Sequence, residues 1–342
     1  MATVSGTQSY LAWGQQTGFG TPQGTLVTAG NLRSGDVFTN PATVRPRLST
    51  GGTIPIAAAN QSWREYLVSD WAAGFEFVNS PNWQGLLTAA FGKVNVVAFV
   101  RTYTCFNPYQ GTVDGTPNFY NHLLTLRHAF SGATGWEISD AAVSQFSLSI
   151  GMDAPTTLTF AGKGHKFAAA AAPTFTEVTG AIFPWDKYGM TANAGIYLDS
   201  SAIALNTAAM ALPLKRMTFT LDNNIQYEAL MAIVAGSEMR SPTRGSLASA
   251  MIQVETLYDT TMTQKDADEI FAYYSAGTNV NFQARGYNGA ADIIDLKVTN
   301  QSGILQSPKI SINGDGIVGF SFGVSVLPIA LTDLSLVTTG GA

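Results

Sequence analysis

Two stretches of the chain alternate apolar and small polar residues in the same way. Phe146-Ser147-Leu148-Ser149-Ile150-Gly151 is followed after a short turn by Thr157-Leu158-Thr159-Phe160. Lys309-Ile310-Ser311-Ile312-Asn313-Gly314 is followed after a short turn by Gly319-Phe320-Ser321-Phe322. Alternation of period two marks a strand with one face in a core, so each stretch predicts a β-hairpin. The two superpose without a gap at a displacement of 162: Leu148 on Ile310, Ile150 on Ile312, Asp153 on Asp315, Leu158 on Phe320, Phe160 on Phe322. A displacement of nearly half the 342 residues predicts two related β modules in tandem and not a short solenoid repeat.

Two short helices stand in matching places. Ser80 suits an N-cap, Pro81 the first helical position and Gly92 the end, with Trp83, Leu86, Leu87, Ala90 and Phe91 on one stripe. Thr263 with Asp266 forms a capping pattern before Ala267, Ile270, Phe271 and Tyr274, and Gly277 ends that helix. Each follows a strand, Phe75 to Val78 or Met251 to Tyr258, and precedes more strands. The helices are displaced by about 183 against 162 for the hairpins, so the first half should carry an insertion at about 93–118, centred on the Gly/Asn/Pro-rich run Asn107 to Asn118.

Further strands are predicted at Tyr120–Phe130, Glu137–Gly151, Ala154–Gly162, Arg216–Asp222, Asn279–Arg285, Asp292–Val298 and Lys309–Val326. Residues 1–36, rich in Gly, Thr and Gln, read as an extended N-terminal arm. The alanine-rich run Phe167 to Pro173 places a joint between 165 and 185. The expected layout is an arm at 1–36, a first module at 37–170 and a second at 171–342, ending in a loose tail from Thr338. Thr43–Leu48 and Gly52–Ile56 flank Ser49-Thr50-Gly51, a turn. Pro46 and Pro55 mark these as edge strands or a protruding hairpin.

Composition narrows the class. Only 12% of residues are charged while 46% are hydrophobic, against about 25% charged in a typical soluble domain. A surface so poor in charge fits burial against partners, and self-assembly is the reading adopted. Net charge is −5 with no run of Lys or Arg, which argues against a nucleic-acid footprint. One cysteine, Cys105, excludes an intrachain disulfide. No signal peptide and no membrane-spanning run are evident, so synthesis and folding in a cytoplasm are expected.

The search for chemistry yields no catalytic residue, cofactor site or metal site. His122, His128 and His165 are dispersed, and Ala161-Gly162-Lys163-Gly164 lacks P-loop spacing. No nucleophile elbow is present. Asn313-Gly314-Asp315-Gly316 lacks the closing acidic ligand of a calcium loop and reads as a hairpin turn. The six Trp, twelve Tyr and nineteen Phe read as core and interface residues, with a carbohydrate-binding surface as the competing reading.

Trp13-Gly14 with Gly18-Phe19-Gly20-Thr21-Pro22, the strand Arg216-Met217-Thr218-Phe219-Thr220-Leu221 running into Asp222-Asn223-Asn224-Ile225, and the two hairpins at 146–162 and 309–324 together resemble the tail tube proteins of long-tailed bacteriophages. Gln15-Gln16 stands where that family usually has an acidic residue. The resemblance implies a mainly β fold: two tail-tube-type β-sandwich modules, each with one short flanking helix, assembling into a ring with an inner β-barrel. It further implies a virion protein without enzymatic activity, whose partners are copies of itself in stacked rings and other tail proteins, while double-stranded DNA passes without specific binding. One chain would supply two of six ring positions, giving three chains per ring, or the ring is a true hexamer. The hairpin carrying Arg45, Arg47, Ser49, Thr50 and Gly51 is the candidate ring-stacking element. Another particle protein, such as a decoration or baseplate component, is the alternative within the same class.

Overall fold

The computed structural model describes residues 9–18, 20–34, 38–39, 43–46, 62–65, 68–105, 122–130, 134–152, 154–165, 168–226, 243–244, 249–257, 265–289, 291–312, 318–327 and 332–340. The chain is mainly β. Among the described residues seventeen strands belong to one hydrogen-bonded network that closes on itself. The closed circuit runs through Ser9–Gln15, Val27–Ser34, Val68–Glu76, Ala154–His165, Thr134–Gly151 and Leu124–Phe130, all antiparallel.

Two long strands make this topology possible. Thr134–Gly151 passes through Asp140 at φ 51°, and Ile293–Ile312 passes through Asn300 and Gln301, both at φ 55°. Asn and Asp tolerate the left-handed region better than other side chains, and here they turn a strand so that its two ends take different neighbours. Residues 134–141 pair with Leu124–Phe130 and 134–137 with Ala168–Ala171, while 142–151 pair with Ala154–His165. In the second half, 293–298 pair with Asn279–Tyr287 and Leu334–Thr339, while 303–312 pair with Val318–Val326.

One sheet runs across both halves. Its strand order is Val68–Glu76, Ala154–His165, 142–151, Arg216–Asp222, Ser249–Leu257, Val318–Val326 and 303–312, with every neighbour antiparallel. Leu32–Ser34 and Phe38–Thr39 add an eighth strand position beside Val68–Glu76. One face is apolar and buried: Phe75, Phe160, Phe146, Phe219, Ile252 and Phe322 are each at most 3% exposed. They belong to a single core cluster that also holds Trp83, Leu86, Leu87 and Phe91 of the first helix and Ile270 of the second.

The helices form where the stripes predict them, with local differences. Pro81–Trp83 is a 3-10 turn capped by the Ser80 hydroxyl, and Gln84–Phe91 is α-helical up to Gly92, whose φ of 107° lets it close the helix end. Gly85 faces Trp13 so closely that a Cβ would lie 1.9 Å from the indole, so only glycine lets this helix approach the strand. The second helix is Ala267–Ser275. Asp266 is itself the N-cap, accepting from Glu269 N at 2.9 Å, so the Thr263-based box is displaced by one turn; Thr263 lies outside the described residues.

Several boundaries differ from the expected ones. Residues 1–36 are not wholly an extended arm. Ser9–Gln15 is a strand whose Leu11 and Ala12 are at most 1% exposed, held between Val27–Ser34 and Leu124–Phe130. Its run of small and aromatic residues lacks period-two alternation because both faces are covered. The two strands of the hairpin within Lys309–Val326 are present, and the first continues back through Gly303. The tail is not loose at Thr338, because Leu334–Thr339 pairs with Val100–Cys105 on one side. The interval assigned to the insertion contains the hairpin Gly92–Val97 with Val100–Cys105. After the second helix Gly277 leads straight to Asn279–Tyr287, which pairs with Ile293–Ile312 as Leu124–Phe130 pairs with Thr134–Gly151, so the hairpin at 92–105 has no counterpart there. Asn107–Asn118 lies outside the described residues.

Candidate functional site

The features singled out in the sequence lie along the long sheet, most of them at its internal joint. Leu148 and Ile150 stand opposite Phe219 and Met217 across the joint between the two halves. All four are at most 2% exposed. Beneath this joint sits an aromatic cluster: Phe146 is 5.1 Å from Phe160, 5.6 Å from Phe91 and 6.2 Å from Phe219 between ring centroids. Edge and tilted contacts of this kind add to the stabilisation from area burial.

The turn Asp222-Asn223-Asn224 locks the same joint. Asn223, 1% exposed, donates through Nδ2 to Ala90 O at 2.6 Å and Val143 O at 3.1 Å, and its backbone N–H donates to Ser144 O at 2.7 Å. One side chain thus ties the end of the first helix to the bulge between Val143 and Gln145. Asp222 Oδ1 accepts from Asn224 N at 2.8 Å, and Asn224 adopts φ 43°, the Asx-turn geometry that suits Asn. Sequence reasoning found this run by its resemblance and missed its role as a clamp, because Ala90 and Val143 are distant in the chain.

The other run behind the resemblance is also structural. Trp13 Nε1 donates to Asn82 O at 2.9 Å, and Gly20 N donates to Asp140 Oδ1 at 2.7 Å. Burial raises the Asp140 carboxyl above its ordinary value, opposed by the Gly20 N–H. The segment after Trp13 therefore reaches the bend of the long strand. Phe19 lies outside the described residues.

The pairings of the two hairpins match at the displacement seen in the sequence. Leu148 pairs with Leu158 and Ile310 with Phe320; Val143 pairs with Gly162 and Leu305 with Val324. Both hairpins carry a register shift just beyond that second pair, between Val143 and Gln145 and between Gln306 and Lys309. Leu148, Ile150, Leu158, Phe160, Phe320 and Phe322 are buried. Ile310 and Ile312, expected on the same apolar face, are 44% and 73% exposed. They occupy the outermost strand of the sheet. Tyr274, on the last turn of the second helix, is 47% exposed.

The open face of the sheet is small and polar. Ser147, Thr159, Thr218, Thr220, Gln253 and Ser321 alternate with the buried residues, and Lys163 is paired with Asp70 at 2.9 Å. Among the described residues no group of three or more His, Cys, Asp and Glu could hold a metal ion, and no helix is long and apolar enough to cross a membrane. The aromatics considered as sugar platforms are mostly internal: Trp13, Trp71 and Trp83 are buried, while Trp136 is 39% exposed.

The candidate stacking element is described only in part. Thr43–Pro46 pairs with Ser62–Glu65, placing Arg45 opposite Trp63 in a separate two-stranded sheet. The partner of Thr43–Pro46 is thus Ser62–Glu65, where Gly52–Ile56 was expected. Arg47, Ser49, Thr50 and Gly51 lie outside the described residues.

The residues of the repeated hairpins singled out in the sequence thus lie in the long sheet, at its internal joint and at its outermost strand. Residues 6–326 match the family model described as phage tail tube protein, and the chain belongs to that family. It is a structural protein of the bacteriophage virion. No match was found among curated proteins.

Proposed function

We propose that the chain comprises two tandem tail-tube modules and that three chains close a ring, which stacks into the tube that conducts double-stranded DNA into the host. The observation that carries this reading is the internal joint, where 142–151 of one half and Arg216–Asp222 of the other make one continuous sheet. Each half contributes four strand positions, so one chain offers eight.

Size favours three chains over six. With strands about 4.8 Å apart and tilted about 40°, three chains of eight strands would make a barrel roughly 48 Å across between backbones. Six such chains would give about 95 Å. Six lining only one module each would again give about 48 Å but would leave the internal joint without a role. Duplex DNA, about 20 Å wide, fits the smaller barrel with room for side chains and water. The hydroxyl face then lines the channel, and a face without clustered cations gives phosphates no purchase. Closure also removes sheet edges that would otherwise aggregate.

Purified protein is expected to form stacked rings in negative stain, and mass measurement of an isolated ring is expected to give three chains. A ring of six chains sinks the proposed stoichiometry, and a chain that stays monomeric at every concentration sinks the tube. The hairpin that includes Arg45, with Arg47, Ser49, Thr50 and Gly51 in its connection, is proposed to contact the next ring. Replacing Ser49-Thr50-Gly51 with bulky charged residues is expected to leave single rings intact while abolishing tubes; normal tubes from that variant refute this role.

A further inference from the structure

The two ends of the sheet are related to the two sides of its internal joint. Phe75 pairs with Leu158 and Thr256 pairs with Phe320, so a displacement of 181 carries Val68–Glu76 onto Ser249–Leu257. The same displacement carries Trp71 onto Ile252, and their edge-ward neighbours correspond: Phe38 pairs with Trp71, Phe219 with Ile252. Phe38 is thus the counterpart of Phe219, and Ile310 is the counterpart of Leu148. Within the chain, Leu148 and Phe219 are directly opposite each other. Their counterparts lie on opposite ends of the sheet.

Those two ends are open in matching fashion. Among the described residues, no strand pairs with the outer side of 305–312, and Phe38–Thr39 pairs only with Trp71 and Asp70. Ile310 is 44% exposed where Leu148 is 1% exposed. Phe38 packs on the core, its ring edge-on to His128 at 6.0 Å, as Phe219 packs on the core at the internal joint. Pro308 falls where Phe146 stands in the first hairpin, and proline belongs on edge strands. An exposed edge with apolar residues on its core side is a template for another strand.

We infer that Lys309–Ile312 of one chain pairs antiparallel with the Phe38–Thr39 strand of a second copy, Ile310 opposite Phe38 and Lys309 opposite Thr39, in the register of the internal joint. The occupant is a second copy because this chain's own Arg216–Asp222 strand already fills the matching edge of the first half, and the strand that corresponds to it is the one left open. The joint rests on the ring proposed above and adds its edges and register.

The test is a double variant, Phe38→Cys with Ile310→Cys, oxidised after rings have formed. Directly opposed residues of an antiparallel pair are close enough for a disulfide when the pair is of the non-hydrogen-bonded kind. A covalent ladder under denaturing, non-reducing conditions that stops at three chains is the expected result. Each single variant is expected to give no ladder, the native Cys105 being buried. Rings that form normally but cross-link through Ile312→Cys with Phe38→Cys, and not through Ile310→Cys, overturn the register while the tube stands. Rings that link through neither pair overturn the joint. If the unmodified chain never assembles, the tube reading falls, and this joint falls with it.

Discussion

A chain carrying Leu148→Asp is expected not to fold, whereas Ile310→Asp, the matching position 162 residues on, is expected to fold normally and remain monomeric. Leu148 is 1% exposed between Leu158 and Phe219. A carboxylate there has no cation or donor to replace water, and burying it unpaired adds to the lost apolar burial. The combined cost exceeds about 4 kcal/mol, among the largest for a single substitution. Ile310 is 44% exposed in the isolated chain, so an aspartate there reaches solvent and alters stability by about 0.5 kcal/mol or less. In the ring it would face Phe38 of a neighbour inside a dry sheet. Circular dichroism melts and negative-stain imaging of both variants decide the matter. Normal tubes from Ile310→Asp would show that this edge is not a joint; a comparable loss of fold in both would show that the exposure of Ile310 does not reflect its environment.

The contrast between these two positions shows what the pattern of residues can reveal. Alternation placed Leu148 and Ile310 on apolar strand faces, and both are on the core side of one sheet. Alternation does not encode whether a neighbouring strand covers that side. Two residues with equal local patterns therefore differ from 1% to 44% in exposure. The helices at Gln84–Phe91 and Ala267–Ser275 were readable because their stripes and caps are local. The order of elements was readable for the same reason.

What escaped reading depends on contacts distant in sequence. Ser9–Gln15 looked like part of an arm because residues 1–36 are rich in Gly, Thr and Gln; it is a strand because Val27–Ser34 and Leu124–Phe130 flank it. Ile293–Ile312 read as parts of two separate strands, Asp292–Val298 and Lys309–Val326, because nothing local links 298 to 309. The chain instead bends through the left-handed region and continues as one strand, pairing beyond the bend with Val318–Val326. The open edges were not visible at all, since an edge is defined by a partner that is missing. Only the matched registers at displacements of 162 and 181 bring Phe38 and Ile310 into relation.

The second large effect is expected at the attachment of the second helix. Lys265, 3% exposed, donates from Nζ to Asp199 Oδ2 at 2.8 Å and to Tyr273 Oη at 3.2 Å, while Asp199 Oδ1 accepts from Ser201 N at 2.8 Å. Burial pushes the Asp199 carboxyl up, but the bonds from Lys265 and Ser201 outweigh it and leave the group below its ordinary value. Burial pushes the Lys265 ammonium down, and Asp199 and Tyr273 more than reverse this. The Asp199 contribution is complete above its unfolded value of about 3.9 and is lost as pH falls through the lower folded value. The Lys265 contribution is complete below about 10.4 and is lost as pH rises through the higher folded value. Between roughly pH 5 and 10 the pair makes stability flat. Asp199→Ala leaves the ammonium with the neutral Tyr273 hydroxyl at 3.2 Å and the half-exposed Glu269 at 3.5 Å, and should cost about 3–5 kcal/mol at pH 7. Burial, the largest influence on Lys265, is then opposed by Tyr273 and Glu269, each weaker, and its folded value is expected to fall below the unfolded one. The variant should therefore regain stability as pH is raised from 7 toward 10, the opposite of ordinary alkaline loss. Asp199→Leu combined with Lys265→Met removes both charges and should lie within about 2 kcal/mol of the parent. Urea unfolding of the monomer at pH 7 and pH 9.5 separates these cases. A single variant as stable as the parent at pH 7, or one that weakens further at pH 9.5, would show that Lys265 is solvated and that the helix is held by packing of Ile270 and Phe271 alone.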